Sequence, residues 1–437
     1  MNARPLPMTS APIADVASLE CEIPYIAAIE AGRRIAHSLQ LEVEDIPLDE
    51  QGIHLHLARL ATTARLGYDI ETCGSGMDCP QAIRASLYPA IARLCQADYA
   101  QTLPCTRMAV KDYLKLPGVE TAFPELVPLI ARQPERTLAT VTFQSLLANR
   151  TLCVPLALVN PAFLQDLEQG DAPKDIADDF DYSLLRRYSS SQGLAAGATP
   201  DEALLQGLLS AQEWVSASRF AVQGVTLRQR AWLQRVDEES LPTQIQSLVD
   251  MATQRLHQPI HLFDVAGPTA VPTYLACALG DTPATRVVSV GAGSTAEHAA
   301  TRAVRRLLEM QAFMAWKQEN TGGQADGTSR PIRKDHRPFP FQQLAEIIEQ
   351  ESHDTVSFHT RTVALPPTLR GRIEHLCGSF AESGLTPWQA RLQMAGDRQE
   401  IACVQVLLAP LDADGLALQG LPMTSSFAVR DEAANQG

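Results

Sequence analysis

The chain has 437 residues, of which 45% are apolar and 20% charged, and its formal net charge is −14. This composition is typical of a globular protein with a sizeable core, and the acidic excess argues against non-specific binding to nucleic acid or to an anionic membrane. No apolar stretch reaches about 18 residues, and no signal-peptide pattern is present. The nine cysteines form no Cys-x-x-Cys pair, so we expect reduced thiols in a cytoplasmic protein.

The composition changes along the chain predict one folded region with polar ends. Residues 1–20 contain three prolines and predict a flexible arm, and residues 426–437 predict a polar tail. Residues 319–337 are rich in glycine, proline and charge and predict a linker. The folded region between the arm and the tail is predicted over 21–425, with sub-units of about 21–150, 151–318 and 338–425.

Local hydrophobic patterns predict several strands and helices. Residues 52–58 alternate between polar and apolar side chains, as in a half-buried strand. The more continuous apolar runs at 285–290 and 401–409 predict buried strands. Segments 341–351 and 368–383 have the spacing of helices.

An internal repeat is the most informative feature of the sequence. Three times, a glycine-bearing loop precedes a helix-start signature and a long helix rich in alanine and leucine. In each copy, a residue that can cap a helix is followed three positions later by Glu or Gln, which is the capping-box pattern. The predicted pairs are Asp78 with Gln81, Thr199 with Glu202, and Ser294 with Glu297.

Glycine loops that open helices can also bind anions, because free N–H groups and the positive end of the helix dipole point outward. The simpler interpretation is that the glycines only permit tight turns. The chain has neither a Gly-x-Gly-x-x-Gly nor a P-loop motif, which excludes the standard nucleotide sites. The candidate cavity residues of the three loops are Gly74, Gly76, Gly193, Gly197, Gly291 and Gly293.

The three blocks resemble the YcaO superfamily in their order and spacing. They read GSGMDCPQAIRASLYPAIAR, SSQGLAAGATPDEALLQGLLSAQEW and GAGSTAEHAATRAVRRLLEMQ. The resemblance implies an α+β fold, with mixed or antiparallel sheets and three glycine-loop–helix units around a central cavity. It also implies ATP-dependent phosphorylation of a peptide amide, which leads to azolines, amidines or thioamides. In such proteins each repeat helix presents an acidic pair at i and i+3 toward Mg²⁺ and phosphate.

The sequence departs from this ligand pattern. The resemblance places the six ligand positions on Pro89, Ala92, Ser210, Glu213, Arg306 and Glu309, of which two are acidic. Arg302 matches an arginine of the family. We therefore expect no metal and no Mg-ATP, and we predict that the Arg306 guanidinium takes the place of the metal and bridges Glu213 to Glu309. The alternative is that these two acids lie on solvated helix faces.

Other candidate groups give weaker signals. His54 and His56 would project from one strand face, but no cysteine or acidic partner stands near them, so no metal site is predicted. Cys79 and Cys95 are interpreted as small apolar core residues and not as nucleophiles. No catalytic residue is identified.

Three functions remain open from the sequence. The first is a degenerate YcaO protein of ribosomal-peptide modification, which is non-catalytic or independent of ATP. It would bind a substrate peptide or a partner subunit, such as an intact YcaO, an E1-like protein or a leader-binding protein, and a homodimer is possible. The second is an active Mg-ATP-dependent cyclodehydratase that forms thiazolines or oxazolines. The third, a different chemistry in the retained cavity, has no motif in its favour.

Overall fold

A computed structural model describes residues 20–49, 53–62, 66, 69–267, 269–280, 286–321, 341–358, 366–393 and 401–411. Its strands are β1 (Val43–Asp49), β2 (His54–Leu60), β3 (Ile70–Gly76), β4 (Cys105–Ala109), β5 (Thr137–Ser145), β6 (Thr151–Pro155), β7 (Leu194–Gly197), β8 (Gln234–Val236), β9 (Ile260–Asp264), β10 (Thr273–Leu279), β11 (Arg286–Ala292), β12 (Asp354–Val356), β13 (Thr386–Leu392) and β14 (Ala402–Ala409). Its longer helices are α1 (Tyr25–Ser38), α2 (Cys79–Ala97), α3 (Pro161–Gln169), α4 (Pro200–Arg219), α5 (Thr243–Leu256), α6 (Ala296–Thr321), α7 (Phe341–Glu349) and α8 (Leu369–Glu382). Single helical turns span Tyr99–Thr102, Val110–Tyr113, Val119–Ala122, Val127–Ile130 and Leu156–Val159.

The described strands form three sheets, and most neighbours are antiparallel. One sheet has the order β1-β2-β3, a second has the order β11-β10-β9-β8-β12, and the third has the order β4-β5-β13-β14-β7 with β6 beside β5. The pair β12–β8 is parallel. The predicted α+β class is confirmed. The third sheet takes strands from each of the three predicted sub-units, so these sub-units share one sheet.

Most of the predicted elements lie within the described residues. The strand predicted at 52–58 is β2, which begins two residues later, and the run at 401–409 is β14. β14 lies between β13 and β7, and nearly all its side chains are buried, which explains its continuous apolar sequence. The predicted helices 341–351 and 368–383 are α7 and α8. The predicted arm, linker and tail lie outside the described residues, except for Glu20 and residues 319–321.

Each repeat is a strand followed directly by a helix: β3–α2, β7–α4 and β11–α6. The glycines allow each helix to lie against the strand that precedes it. A Cβ atom on Gly74 would lie 2.3 Å from the Ser86 nitrogen, and a Cβ atom on Gly197 would lie 2.3 Å from the Ala203 nitrogen. A larger residue at either position would force the helix off the strand. The glycines are thus required for close packing and not only for turns.

The repeat helices α2 and α4 are largely buried, whereas α6 buries one face and exposes its last residues, 318–320. In α4, for example, Ala203, Leu205, Leu208 and Leu209 are fully buried. The core is built mainly from such aliphatic side chains, as the low aromatic content predicts. In the described part of the chain, no helix combines the length and apolarity that a bilayer crossing requires.

Candidate functional site

The three repeat units surround one cavity of about 270 Å³. Each repeat helix contributes side chains to its wall, and so do the ends of β3 and β7 and the segment before α1. The residues used below are Glu20, Ser75, Arg84, Pro89, Gln206, Ser210, His298, Arg302, Arg306 and Glu309. None of the six candidate glycines is among the residues that line the cavity: Gly74, Gly76, Gly197 and Gly291 lie in the strands on which the helices pack, Gly193 directly precedes β7 and Gly293 directly follows β11.

In two of the three predicted capping boxes the cap itself is confirmed, but the reciprocal bond is shifted by one residue: Gln81 accepts from the Met77 N–H at 3.0 Å and Glu202 from the Ala198 N–H at 2.9 Å. The Asp78 carboxylate accepts a hydrogen bond from the Gln81 backbone N–H at 2.8 Å. The Thr199 hydroxyl accepts one from the Glu202 backbone N–H at 3.1 Å. These caps satisfy N–H groups that have no partner within the helix, and they fix where α2 and α4 begin beside the cavity.

The third capping prediction is wrong by one residue. The cap of α6 is Thr295, whose hydroxyl accepts a hydrogen bond from the His298 N–H at 3.1 Å. The predicted cap, Ser294, instead donates its N–H and its hydroxyl to the Glu20 carboxylate, both at 3.3 Å. Ser294, which the local pattern indicated as the cap, is therefore bound by the Glu20 carboxylate, which is distant in the sequence.

Arg306 and Glu213 form the ion pair that the sequence predicted between them. The guanidinium lies 2.5 Å from a Glu213 oxygen and donates to the Val290 carbonyl at 2.6 Å. Glu213 is 1% exposed and accepts a second hydrogen bond from the Ala292 N–H at 3.0 Å. A cation on α6 and an anion on α4 thus join the two helices inside the protein.

The predicted bridge from Arg306 to Glu309 is wrong. The Glu309 carboxyl accepts a hydrogen bond from the Ser75 hydroxyl at 2.6 Å, because the end of β3 reaches this part of the wall. One nitrogen of the guanidinium, Nη1, contacts both Glu213 and the Val290 carbonyl. The alternative of solvated helix faces is also wrong, since Glu213 is buried and Glu309 lines the cavity.

Burial and charge act in opposite directions on Glu309. Burial raises the pKa of the Glu309 carboxyl above its usual range, although the Ser75 hydrogen bond and the Arg306 charge both oppose this shift. Glu309 is therefore harder to ionise than a solvated glutamate.

Arg302 connects two carboxylates, Glu20 of the cavity wall and the buried Glu213. One nitrogen lies 2.8 Å from the Glu20 carboxylate, and another lies 3.7 Å from Glu213. It also donates to the Ala292 carbonyl at 3.0 Å and to the Gln206 side chain at 3.0 Å. Burial alone would lower the pKa of Arg302, but Glu20 and Glu213 raise it, so the guanidinium stays charged.

The remaining ligand positions carry no charge. Pro89 lines the cavity within α2, which continues through it to Ala97. Ala92 is 2% exposed and belongs to the apolar core. Ser210 faces the cavity and accepts a hydrogen bond from the Gly193 N–H at 3.3 Å. A proline ring, a methyl group and an occupied hydroxyl therefore stand where the resemblance implies oxygen ligands.

Sequence reasoning missed Glu20, which lines the cavity, and the role of Glu202, which holds the segment that carries Glu20. Glu20, the last residue of the predicted arm, is only 2% exposed. The charges of His298 and Arg302 outweigh the effect of burial and hold the pKa of Glu20 well below its usual range. Glu202 is fully buried and accepts from Arg84 at 2.8 Å. No sequence motif points to Glu20, and from the sequence Glu202 has a role only in capping the helix that follows Thr199.

The histidines and cysteines that the sequence analysis named, together with the cavity thiol Cys21, differ in their burial. His56 is buried, with Nδ1 2.7 Å from the Ser86 hydroxyl and Nε2 3.3 Å from Asp45. Cys95 is buried as predicted, whereas the prediction for Cys79 is wrong, because it is exposed at the first position of α2. Burial raises the pKa of the cavity thiol Cys21 to about 11, so it is not a ready nucleophile at neutral pH.

The residues of this cavity do not fit the Mg-ATP that the resemblance implies. Of the six ligand positions, only Glu213 and Glu309 are acidic. Glu213 is engaged by two arginines and a backbone amide, and Glu309 accepts a hydrogen bond from the Ser75 hydroxyl. A divalent ion between them would face the Arg306 charge at short range. Within the described residues, no group of three or more His, Cys, Asp or Glu is placed to hold a metal.

Known structures share this fold at low sequence identity. YcaO from Methanopyrus kandleri bound with AMPPCP and Mg²⁺ matches with a TM-score of 0.63 and 15% identity over 92% of this chain and 96% of that chain. A heterocyclase in complex with substrate and cofactor matches with a TM-score of 0.53 and 14% identity over 86% of this chain and 52% of that chain. The E. coli microcin synthetase McbBCD complex matches with a TM-score of 0.52 and 11% identity over 84% of this chain and 87% of that chain.

The sequence itself carries a family match. No curated protein matches the chain. Residues 73–411 match the family described as YcaO cyclodehydratase, ATP- and Mg²⁺-binding. This range contains the three repeat units, except for the first three residues of β3, and the hairpin formed by β13 and β14. Because the match covers well over half of the 437 residues and the fold agrees with it, this chain belongs to the YcaO family.

Proposed function

We propose that this chain is a non-catalytic YcaO component of a ribosomal-peptide modification system of the azoline or thioamide type. It would bind the substrate peptide or an active modification subunit and would not itself activate an amide with Mg-ATP. The observation that carries this proposal is the buried ion pair between Arg306 and Glu213, 2.5 Å apart, at two of the six ligand positions.

The ion pair supports this role because it satisfies the charges that a metal would otherwise neutralise. Phosphoryl transfer needs cations placed against the phosphate oxygens and carboxylates that hold those cations. Here the Glu213 carboxylate is committed to protein donors, and α2 offers Pro89 and Ala92 in place of its acidic pair. The helices that metal ions would join are joined instead by protein charges.

The retained architecture supports a binding role. The glycines, two of the predicted caps and the strands of each unit are kept, so the cavity persists although its ligand set does not. Similar folds occur in a microcin synthetase complex with pro-MccB17 bound and in a heterocyclase with substrate. A binding subunit requires the shape of this fold but not its phosphoryl-transfer chemistry.

A reconstitution with the modifying enzyme and precursor peptide of the same genome tests the proposal. We expect the chain alone to release no ADP and to leave the peptide mass unchanged. Added to the active enzyme, it should increase the rate at which the peptide loses water or gains sulfur. ADP release coupled to a mass change in the peptide, with this chain as the only protein, would instead establish an active cyclodehydratase.

A further inference from the structure

The segment just before α1 forms part of the cavity wall, where polar side chains of α4 and α6 hold it in the way that they could hold a bound peptide. The Glu20 carboxylate is 2.8 Å from Arg302 and 3.0 Å from the His298 ring nitrogen. It also accepts hydrogen bonds from Gln206 at 2.9 Å and from the Ser294 N–H at 3.3 Å. With 2% exposure, this is a fully enclosed carboxylate in a site built from charged and polar donors.

A second contact holds the backbone of the same segment. One oxygen of Glu202 accepts from the Glu22 N–H at 2.5 Å and from the Ile23 N–H at 3.2 Å. The other oxygen is fixed by Arg84 at 2.8 Å and by the Ala198 N–H at 2.9 Å. Glu202 therefore presents a pre-oriented acceptor to two consecutive backbone donors.

These contacts recognise few features of the segment beyond a carboxylate and two amide groups. A carboxylate side chain is read by Arg302 and His298, and the N–H groups two and three residues later are read by Glu202. Charge complementarity selects an acidic residue at the first position, because a neutral side chain would leave the Arg302 guanidinium without its nearest anion. Any extended peptide supplies the backbone N–H groups.

We propose that this cavity is a binding site for an acidic peptide segment and that residues 20–23 occupy it in cis. A peptide that carries a glutamate followed by an extended backbone displaces these residues and makes the same contacts. This inference deepens the proposed function, on which it rests, by naming the ligand of the cavity as a glutamate-bearing peptide segment. Because the cis segment is tethered, it competes at a high effective concentration, so the wild-type chain binds such a peptide weakly.

The test uses the full chain without nucleotide or metal. A fluorescein-labelled peptide with the sequence of residues 18–26 is titrated by anisotropy against the wild-type chain and the Glu20→Gln variant. A twin peptide has glutamine in place of its first glutamate. The variant should bind the glutamate peptide at least tenfold more tightly than the wild-type chain does, and at least tenfold more tightly than it binds the twin.

Glu22→Gln is the matched control. Its side chain lies in the same segment but, among the described residues, accepts only from the Thr199 hydroxyl, at 2.6 Å, and the substitution keeps the backbone N–H. It should bind both peptides as the wild-type chain does. Equal binding of the two peptides by the Glu20→Gln variant, or no binding of either, would overturn the proposal.

A measurement on the wild-type chain covers the case in which Glu20→Gln does not fold. Saturating glutamate peptide should speed the hydrogen exchange of the Glu22 and Ile23 amides, and the glutamine twin should not. Unchanged exchange with both peptides would overturn the cis-occupied site. These results are independent of ADP release, so failure of the peptide site and failure of the non-catalytic assignment are distinguishable.

Discussion

Replacing Arg306 by alanine tests the ion pair between Arg306 and Glu213. The substitution leaves Glu213, which is 1% exposed, with the Ala292 N–H at 3.0 Å and Arg302 at 3.7 Å. It also removes the donor to the Val290 carbonyl. Breaking a buried pair typically costs about 3–5 kcal/mol, because one charge is left without its partner.

The expected loss lies at the lower end of that range. The Arg306 side chain is 23% exposed, so water can reach part of the vacated space, and Arg302 remains near the carboxylate. We therefore expect Arg306→Ala to lower the free energy of unfolding by about 3 kcal/mol. With an unfolding entropy of about 2.1 cal/mol/K per residue, this corresponds to a decrease of about 3–4 °C in Tm for a protein of this size.

The assay is thermal unfolding followed by circular dichroism, with a second substitution that separates charge from packing. Adding Glu213→Gln to Arg306→Ala removes the stranded charge but keeps an oxygen that accepts from the Ala292 N–H. The double variant should recover most of the lost Tm. Arg370→Ala is the control, because Arg370 is 64% exposed and its pair with Asp201 should contribute at most about 1 kcal/mol. A Tm within 1 °C of wild type for Arg306→Ala, or no recovery in the double variant, would refute the claim that the Arg306–Glu213 ion pair stabilises the fold at the position of the metal.

Two further substitutions test the packing and the electrostatics of the site. Gly197→Ala should abolish soluble expression or greatly lower Tm, because the added Cβ would lie 2.3 Å from a backbone nitrogen. Gly378→Ala in α8, where an added Cβ would have nothing within 4 Å, should instead stabilise the protein by up to about 1 kcal/mol. Equal effects of the two substitutions on Tm would contradict the packing role of Gly197. Burial raises the pKa of Glu309 in the folded state, so the unfolded chain releases the Glu309 proton at a lower pH than the folded chain does. The folded state therefore loses stability relative to the unfolded state as the pH rises above about 4.5. Glu309→Gln should therefore gain stability over wild type between pH 4.5 and pH 8 in urea unfolding, and a flat or falling difference would contradict the raised pKa.

Features set by short-range patterns could be predicted from the sequence. The caps at Asp78 and Thr199 depend on residues three positions apart, so their geometry follows from local backbone structure. The boundaries of α8 and β14 follow in the same way from apolar spacing and from the Thr368 cap. The repeat also identified which three helices would meet at one cavity.

Features set by distant contacts could not be predicted. Ser294 has the local pattern of a cap, but Glu20, which is 274 positions away in the chain, takes its hydrogen bonds. The bridge to Glu309 failed because Ser75, on another unit, supplies a closer partner. These outcomes depend on which side chains the completed fold brings together, and spacing along one helix carries no information about them.

The most direct test of the non-catalytic assignment is a calorimetric titration of the wild-type chain with ATP in the presence and absence of Mg²⁺. Methanopyrus kandleri YcaO, whose structure contains AMPPCP and Mg²⁺, is the positive control. Because Arg306 pairs with Glu213 and the first acidic pair is replaced by Pro89 and Ala92, we expect no Mg²⁺-dependent binding tighter than about 1 mM, or about 4 kcal/mol. A micromolar dissociation constant for ATP that requires Mg²⁺ would contradict the non-catalytic assignment.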